Sequence, residues 1–341
     1  MSSTSSSSSS SSQVSTAPTT STTLTQDPRD PNTLPPLHFP APTDGLQVTN
    51  AHPRDSRIQF FEEGHIYDVD GRRDFVSCTT FVHHFFEEFD ADAVVEKMIT
   101  RDMGFRGEPM SPDYVMRTGK YKGMTAEDIK TFWANKGALA SRDGTLMHAC
   151  IEFFYNDWMD QFPYAPPPEF TDRFTVFQRE VVESRGWVPY RTEWFVFDED
   201  HELAGSIDML YQVDPKDPDR LMIYDWKRST KLSEKTNRYR TMHPPLDHLP
   251  DTNYWHYAMQ LNIYRHILET KYGKTIEGMY LVGIHPELPE GMVYQEESVP
   301  FLRVETEGVF ERRMEEVEEV RECRTGKPKT VKTVSTVSTD Q

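Results

Sequence analysis

Apolar residues recur along this chain with two periods. Three runs in the middle, YRTEWFVFD (190–198), GSIDMLYQV (205–213) and LMIYDWK (221–227), are dense in aromatic and branched side chains. They are parted by Asp198–Asp200 and by Asp214-Pro215-Lys216-Asp217-Pro218, both rich in turn formers. Short apolar runs between such breaks predict a three-stranded meander. Two further runs, 276–284 and 292–299, read as strands. A helical period governs the flanks. Phe81, Val82, Phe85, Phe86 and Phe89 predict a helix starting near Thr79. Thr125-Ala126-Glu127-Asp128 offers a capped helix start, and the pattern runs on to about Trp158, with a break expected at Gly137 or Gly144. More helices are expected over 171–185, from Thr252 to Gly273, and over 305–322. Ahead of all these, Ile66, Tyr67 and Val69, the turn pair Asp70-Gly71, and Phe75-Val76 predict a small hairpin within 58–76. Residues 102–123 read as a Gly- and charge-rich loop, and 163–168 as a proline-rich connection.

This order predicts one α/β domain over 45–323, with a mixed central sheet flanked by helices. Its parts are an N-terminal hairpin and helical extension (45–140), a core (141–300) and a C-terminal helix (301–323). Residues 1–44 are mostly Ser, Thr and Pro, and read as a disordered tail, because they hold too little apolar surface to offset ordering. Residues 324–341 read as a flexible basic tail. The N-terminal stretch lacks the basic start and apolar run of a signal peptide. No stretch approaches the length of a membrane span, so a soluble, intracellular protein without a membrane partner is expected. The serine-rich start points toward a eukaryotic or large-DNA-virus origin.

Hydrophobic residues make up 36% of the chain, enough for a core despite the polar tail. Three cysteines, Cys78, Cys150 and Cys323, stand far apart. Their number and spacing argue against a disulfide framework or structural zinc, and exclude a four-cysteine iron–sulfur cluster within one chain. A net charge of −18 argues against a protein that coats nucleic acid nonspecifically. One stretch runs the other way. Residues 227–240 hold Lys227, Arg228, Lys231, Lys235, Arg238 and Arg240 against the single acid Glu234. Such a run is a solvated loop or a phosphate-tracking surface, and its position decides between them.

That position is directly after Ile223-Tyr224-Asp225-Trp226-Lys227. Side chains alternate along a strand, so Asp225 and Lys227 share one face and Tyr224 and Trp226 the other. The preceding strand reads Gly205-Ser206-Ile207-Asp208, and a hairpin through 214–220 brings Asp208 beside Asp225. Two carboxylates that close repel unless a cation sits between them, and an oxygen-rich site suits Mg2+ or Mn2+. Upstream, GTLMHACIE (144–152) puts His148 and Glu152 on one helix face. Downstream, QLNIY (260–264) does the same for Gln260 and Tyr264.

Taken together, GTLMHACIE, GSID, DWK and QLNIY resemble, in this order, the motifs of the RecB-like exonuclease branch of the PD-(D/E)XK nuclease superfamily. The resemblance covers about 142–285, and HIYDVDG…SCTTFVHHFF is loosely similar to mitochondrial-type and large-DNA-virus members. It implies the restriction-endonuclease-like fold and a Mg2+- or Mn2+-dependent DNA nuclease acting in replication, repair or recombination. His148, Asp208, Asp225 and the backbone carbonyl of Trp226 would bind one or two ions. Lys227 would orient the attacking water, and Gln260 and Tyr264 would position the DNA backbone or support the ligands. Glu152 would steady His148, and Glu193 either joins the site or faces solvent. Arg228, Lys231, Lys235, Arg238 and Arg240 would follow phosphates, with low sequence specificity. The other reading is a degenerate nuclease fold serving as a DNA-binding or assembly module. Gly273-Lys274-Thr275 is no phosphate loop, because Leu268 stands where the pattern needs glycine, so no ATP site is expected. Arg106, Arg117, Lys120 and Lys122 in the 102–123 loop raise the expectation of a threaded strand, and so of cutting from single-stranded or duplex ends.

Overall fold

The computed structural model describes residues 29–104, 111 and 113–325. Arg106 and the tail 326–341 lie outside them, as does the tail up to residue 28. By its contacts the described chain divides into two compact units. Among the described residues, one holds those of 90–136 together with 29–34, and the other holds Pro35–Phe89 and 137–325.

The smaller unit closes its own core. Asp90 caps α3 (Ala91–Met103) by accepting from Ala93 N. Val95 and Ile99 pack with Tyr114, Met116 and Ile129. The Asp102 carboxylate accepts from Tyr114 Oη at 2.8 Å and from the Arg117 and Thr118 amides at 2.7 and 3.1 Å. Five apolar residues around one hydrogen-bonded carboxylate form a separate nucleus, which explains the division.

In the larger unit a short helix, α1 (Leu46–Thr49), precedes a hairpin of β1 (Ile58–Phe61) and β2 (Ile66–Val69). The hairpin was expected to turn at Asp70-Gly71. Instead β2 pairs backward with β1, from Ile58↔Val69 to Phe61↔Ile66. Asp70 and Gly71 do turn the chain, both with positive φ, but the segment beyond becomes β3 (Val76–Ser77), parallel to another strand. Ser77 then caps α2 (Cys78–His83), a shorter helix than the apolar spacing implied, and Phe89 is exposed.

The main sheet runs β4 (Val188–Asp198), β5 (Leu203–Asp214), β6 (Asp217–Lys227), β7 (Thr275–Gly283) and β8 (Gln295–Val299). Neighbours are antiparallel except β6 and β7, and β3 lies parallel to the start of β5. The expected meander is β4–β5–β6. A parallel pair needs a long crossover, and α6 (Asn253–Lys271) supplies it between β6 and β7. One face of the sheet packs Leu221 and Ile223 against Leu261 and Ile267 of α6. The other packs Tyr211, Tyr224 and Trp226 against Cys150 and Ile151 of α4 (Ala126–Tyr155) and against Phe174 and Phe177. Phe177 ends α5 (Thr175–Phe177), which π-helical turns extend over Phe170–Phe174 and Gln178–Glu183. The last element is α7 (Arg303–Thr325). Among the described residues no helix is long and apolar enough to cross a membrane. The mixed α/β sheet flanked by helices is the fold class expected from the pattern.

Two expectations change. The end of the presumed tail is packed, because it carries a large ring. Phe39 stacks on Phe162 at 6.0 Å and meets Tyr164 edge-on, and Asp44 accepts from the Trp158 indole at 2.8 Å. The helix α4 is also unbroken through Gly137 and Gly144. Its start is secured as expected: Asp128 N donates to Thr125 Oγ1 at 3.2 Å, and Thr125 N to Asp128 Oδ2 at 2.8 Å. Continuous hydrogen bonding outweighs the roughly 1 kcal/mol a mid-helix glycine costs.

A Cβ on Gly137 would meet nothing within 4 Å, and its φ is not positive. Gly137→Ala is therefore expected to stabilise the protein by about 0.5–1 kcal/mol. Chemical denaturation should find the midpoint raised, and a lowered midpoint would mean the helix is not continuous at this residue.

Candidate active site

The site forms where β4, β5 and β6 lie side by side. The pair Met209↔Tyr224 puts Asp208 one step further along, level with Asp225. Between Asp225 and Lys227, the Trp226 amide donates to Asp208 Oδ2 at 2.9 Å. Trp226 is held by edge-on contacts with Phe174 and Phe177 at 5.6 and 5.3 Å, so aromatic packing behind the sheet fixes the backbone in front of it. Asp225 is buried, and its Oδ2 lies 2.5 Å from Lys227 Nζ, yet that oxygen has no aligned hydrogen-bond partner. Lys227 Nζ also sits 4.7 Å above the Tyr257 ring.

Helix α4 brings in His148. Its Nε2 faces the Trp226 carbonyl at 2.9 Å. Donation there turns Nδ1 toward the acids, at 3.6 Å from Asp208 Oδ2 and 3.7 Å from Glu193 Oε1. The carbonyl expected to bind metal thus already accepts from the imidazole. Glu193 was left open in the sequence. Here it joins His148 and Asp208, with one ligand atom from each lying within 4.8 Å of the others. Ser206 Oγ holds its other oxygen at 2.8 Å. Glu193 has φ +41°, an uncommon conformation for a residue with a side chain, and such outliers cluster at functional sites. The one sequence signal for it is register: once β4 is laid against β5, residue 193 falls opposite 208.

The charges are crowded. Burial pushes the Asp208 carboxyl up, and the Asp225 charge pushes it further. Burial lowers the His148 imidazole, but Asp208 and Glu193 outweigh it and raise it to about 9. Glu193 is pulled the other way: burial raises it, and His148 with Ser206 brings it below the usual range. Glu152, one helical turn beyond His148, is pushed up by burial and by the Glu193 charge. Burial lowers Lys227, yet Asp225 and Asp208 keep it above the ordinary lysine range. One imidazole nitrogen and carboxylates from three neighbouring strands, one of them buried, fit a divalent cation.

Helix α6 completes the wall. Gln260 Nε2 donates to Tyr264 Oη at 3.1 Å and to Thr79 Oγ1 at 3.3 Å. The Tyr264 ring lies directly over Gly205, where an added Cβ would come within 2.7 Å of it. This contact explains the glycine ahead of Asp208 better than any turn does.

The basic stretch divides. Arg228 is largely buried, with Nε 2.7 Å from Glu169 and Nη2 3.4 Å from Asp143, so it ties the sheet to its neighbours and is not free for phosphate. Lys235 pairs with Glu297 at 2.8 Å, and Arg240 with Glu87 at 3.3 Å. Lys231 is exposed, 3.8 Å from Glu234. Arg238 is exposed and has no ion pair among the described residues.

Residues 168–327 match the family model of the PD-(D/E)XK nuclease superfamily. That segment carries Glu193, Asp208, Asp225, Lys227, Gln260 and Tyr264; His148 precedes it. Members of that superfamily are nucleases that use divalent metal ions. Among solved structures, the chain is similar to a candidate exonuclease from Eubacterium rectale, 11% identical, covering 55% of this chain and 69% of that one at a TM-score of 0.36. It is also similar to the protein SSO0001, 13% identical, covering 74% and 78% at a TM-score of 0.28. Likenesses of this size say nothing about activity. No curated protein matches the chain.

To ligate a metal, His148 Nδ1 must lose its proton. With its pKa raised to about 9, the free site holds an imidazolium at neutral pH. Divalent-ion binding should therefore release a proton and strengthen by up to about tenfold per pH unit, levelling off above the histidine pKa. Calorimetric titration in buffers of different ionisation enthalpy measures this. Binding without proton uptake by the buffer at neutral pH would remove His148 from the ligand set.

Proposed function

We propose that this chain is a Mg2+- or Mn2+-dependent deoxyribonuclease that degrades DNA from an end. The observation that carries the reading is the set His148, Glu193 and Asp208 beside the buried Asp225, whose Oδ2 meets the Lys227 ammonium at 2.5 Å. These four side chains would hold the ion, and an imidazole ligand favours Mn2+ over Mg2+. Once bound, a divalent ion supplies positive charge beside the phosphodiester and acidifies water.

The chain's own groups do the rest. Asp225 and Asp208 hold Lys227 above the ordinary lysine range, so in the free site it is a cation placed to donate hydrogen bonds to a phosphate oxygen gaining charge. Tyr257 beneath it and Asp225 beside it keep the ammonium in place. Gln260 spends its amide protons on Tyr264 and Thr79, which leaves its carbonyl oxygen to orient the strand or its water. End-first cutting rests on the likeness of Gln260 and Tyr264 to the RecB-like motif. A role in replication, repair or recombination follows from that likeness and from nothing else in the chain.

Asp225→Ala and Lys227→Ala should each lower DNA hydrolysis by about 100-fold or more while leaving the circular dichroism spectrum unchanged. Wild-type rates in either folded variant would end the site assignment. If the folded wild-type chain binds DNA but cleaves none with either metal, the chain is an assembly module.

The second test compares closed circular with linear DNA, single- and double-stranded, in Mg2+, Mn2+ and EDTA. Linear strands should shorten progressively, and the circles should persist. Rapid nicking of the circles would make this an endonuclease.

A further inference from the structure

The segment between β6 and α6 carries a feature that the catalytic groups do not explain. Tyr239 is 93% exposed, the most exposed large apolar side chain in the described residues, although the loop that bears it is well anchored. Leu232 and Met242, on either side, are fully buried. The Asn237 side chain fixes the turn: its Oδ1 accepts from the Tyr239 and Arg240 amides at 3.0 and 3.2 Å, and its Nδ2 donates to the Asp251 carbonyl at 2.9 Å. Asp251 N returns a bond to the Arg240 carbonyl at 3.1 Å. Nearer the strand, the Trp255 indole donates to the Lys235 carbonyl at 3.0 Å. The protrusion is thus tied to the first turns of α6, the helix that also carries Tyr257 and Gln260.

A lone exposed ring is ordinary on a protein surface, so what matters here is that this one is held by an ordered turn and has a basic neighbour. Next to it stands Arg238, which has no ion pair among the described residues, and Lys231 is exposed in the same loop. On a chain that carries −18 as a whole, this places an exposed cation beside an exposed aromatic ring. A ring for a base and a guanidinium for its phosphate is the minimal equipment for an unpaired nucleotide. Paired bases keep their faces inside the duplex and offer this ring nothing to stack on.

We infer that Tyr239 is a stacking platform for one unpaired nucleobase, with Arg238 on the adjoining phosphate, so that the strand led to the site is single-stranded there. This rests on the nuclease reading above and names the form of its substrate. Because every base has a face, the platform discriminates strandedness and not sequence.

The test measures binding by fluorescence anisotropy with the full chain in EDTA, so that no strand is cut. The probes are a single-stranded thymidine oligonucleotide, a blunt duplex, and an oligonucleotide of abasic sites. Tyr239→Ala should weaken single-strand binding about 5- to 100-fold, Tyr239→Trp should restore it, and neither Tyr239 variant should change binding of the duplex or abasic probes. Arg238→Ala should weaken single-strand and abasic binding together. If Tyr239→Ala leaves single-strand affinity unchanged while the wild type binds and cleaves, the platform is wrong and the nuclease stands. If the variant loses duplex and abasic binding equally, the ring is a structural part of the loop and the inference is overturned. If the wild type neither binds nor cleaves any strand, both readings fall.

Discussion

Two carboxylates standing level on neighbouring strands, largely out of water, set the terms for the rest of this structure. Asp208 and Asp225 repel each other, and burial sharpens the repulsion. Each surrounding group answers that charge. Lys227 lies against Asp225, the Trp226 amide against Asp208, and the His148 imidazole against Asp208 and Glu193. Yet Asp225 Oδ2 stays without an aligned partner. Three strands, a long helix and a wall of aromatic rings hold this cluster of like charges in place.

Much of this was written in the order of residues. The three central strands follow from alternating apolar runs between turn formers, and two strands joined by a short turn make Asp208 and Asp225 neighbours by register alone. His148 and Glu152, or Gln260 and Tyr264, share a helix face by spacing. What the sequence hides is what depends on distant partners. Glu193 enters through the register of β4, legible only once that strand is laid against β5, and through a left-handed backbone that leaves no mark on a lone glutamate. Arg228 looks like its basic neighbours until Glu169 and Asp143, far away in the chain, fold against it. Asp70-Gly71 is a true turn, but the segment after it pairs with β5 and not back along β2. A turn signal tells where a chain bends and not which strand it then joins.

The separate nucleus around Asp102 has a similar origin. Its apolar residues are few and spread over 95–129, so no single window announces a core. Packing of that kind is a property of closure, and periodicity does not report it.

The contact between Gly205 and Tyr264 has a consequence for descent. At this point β5 and α6 are spaced by the thickness of one aromatic ring, with no room for a methyl group. The two positions are therefore one character and not two. A lineage that keeps the tyrosine is bound to keep the glycine, and one that gains a side chain at 205 must first shrink the residue at 264. Neither change is neutral alone, so the pair should drift together or not at all. In a divergent relative, loss of both at once would mark a site that had given up its old geometry before it lost its acids.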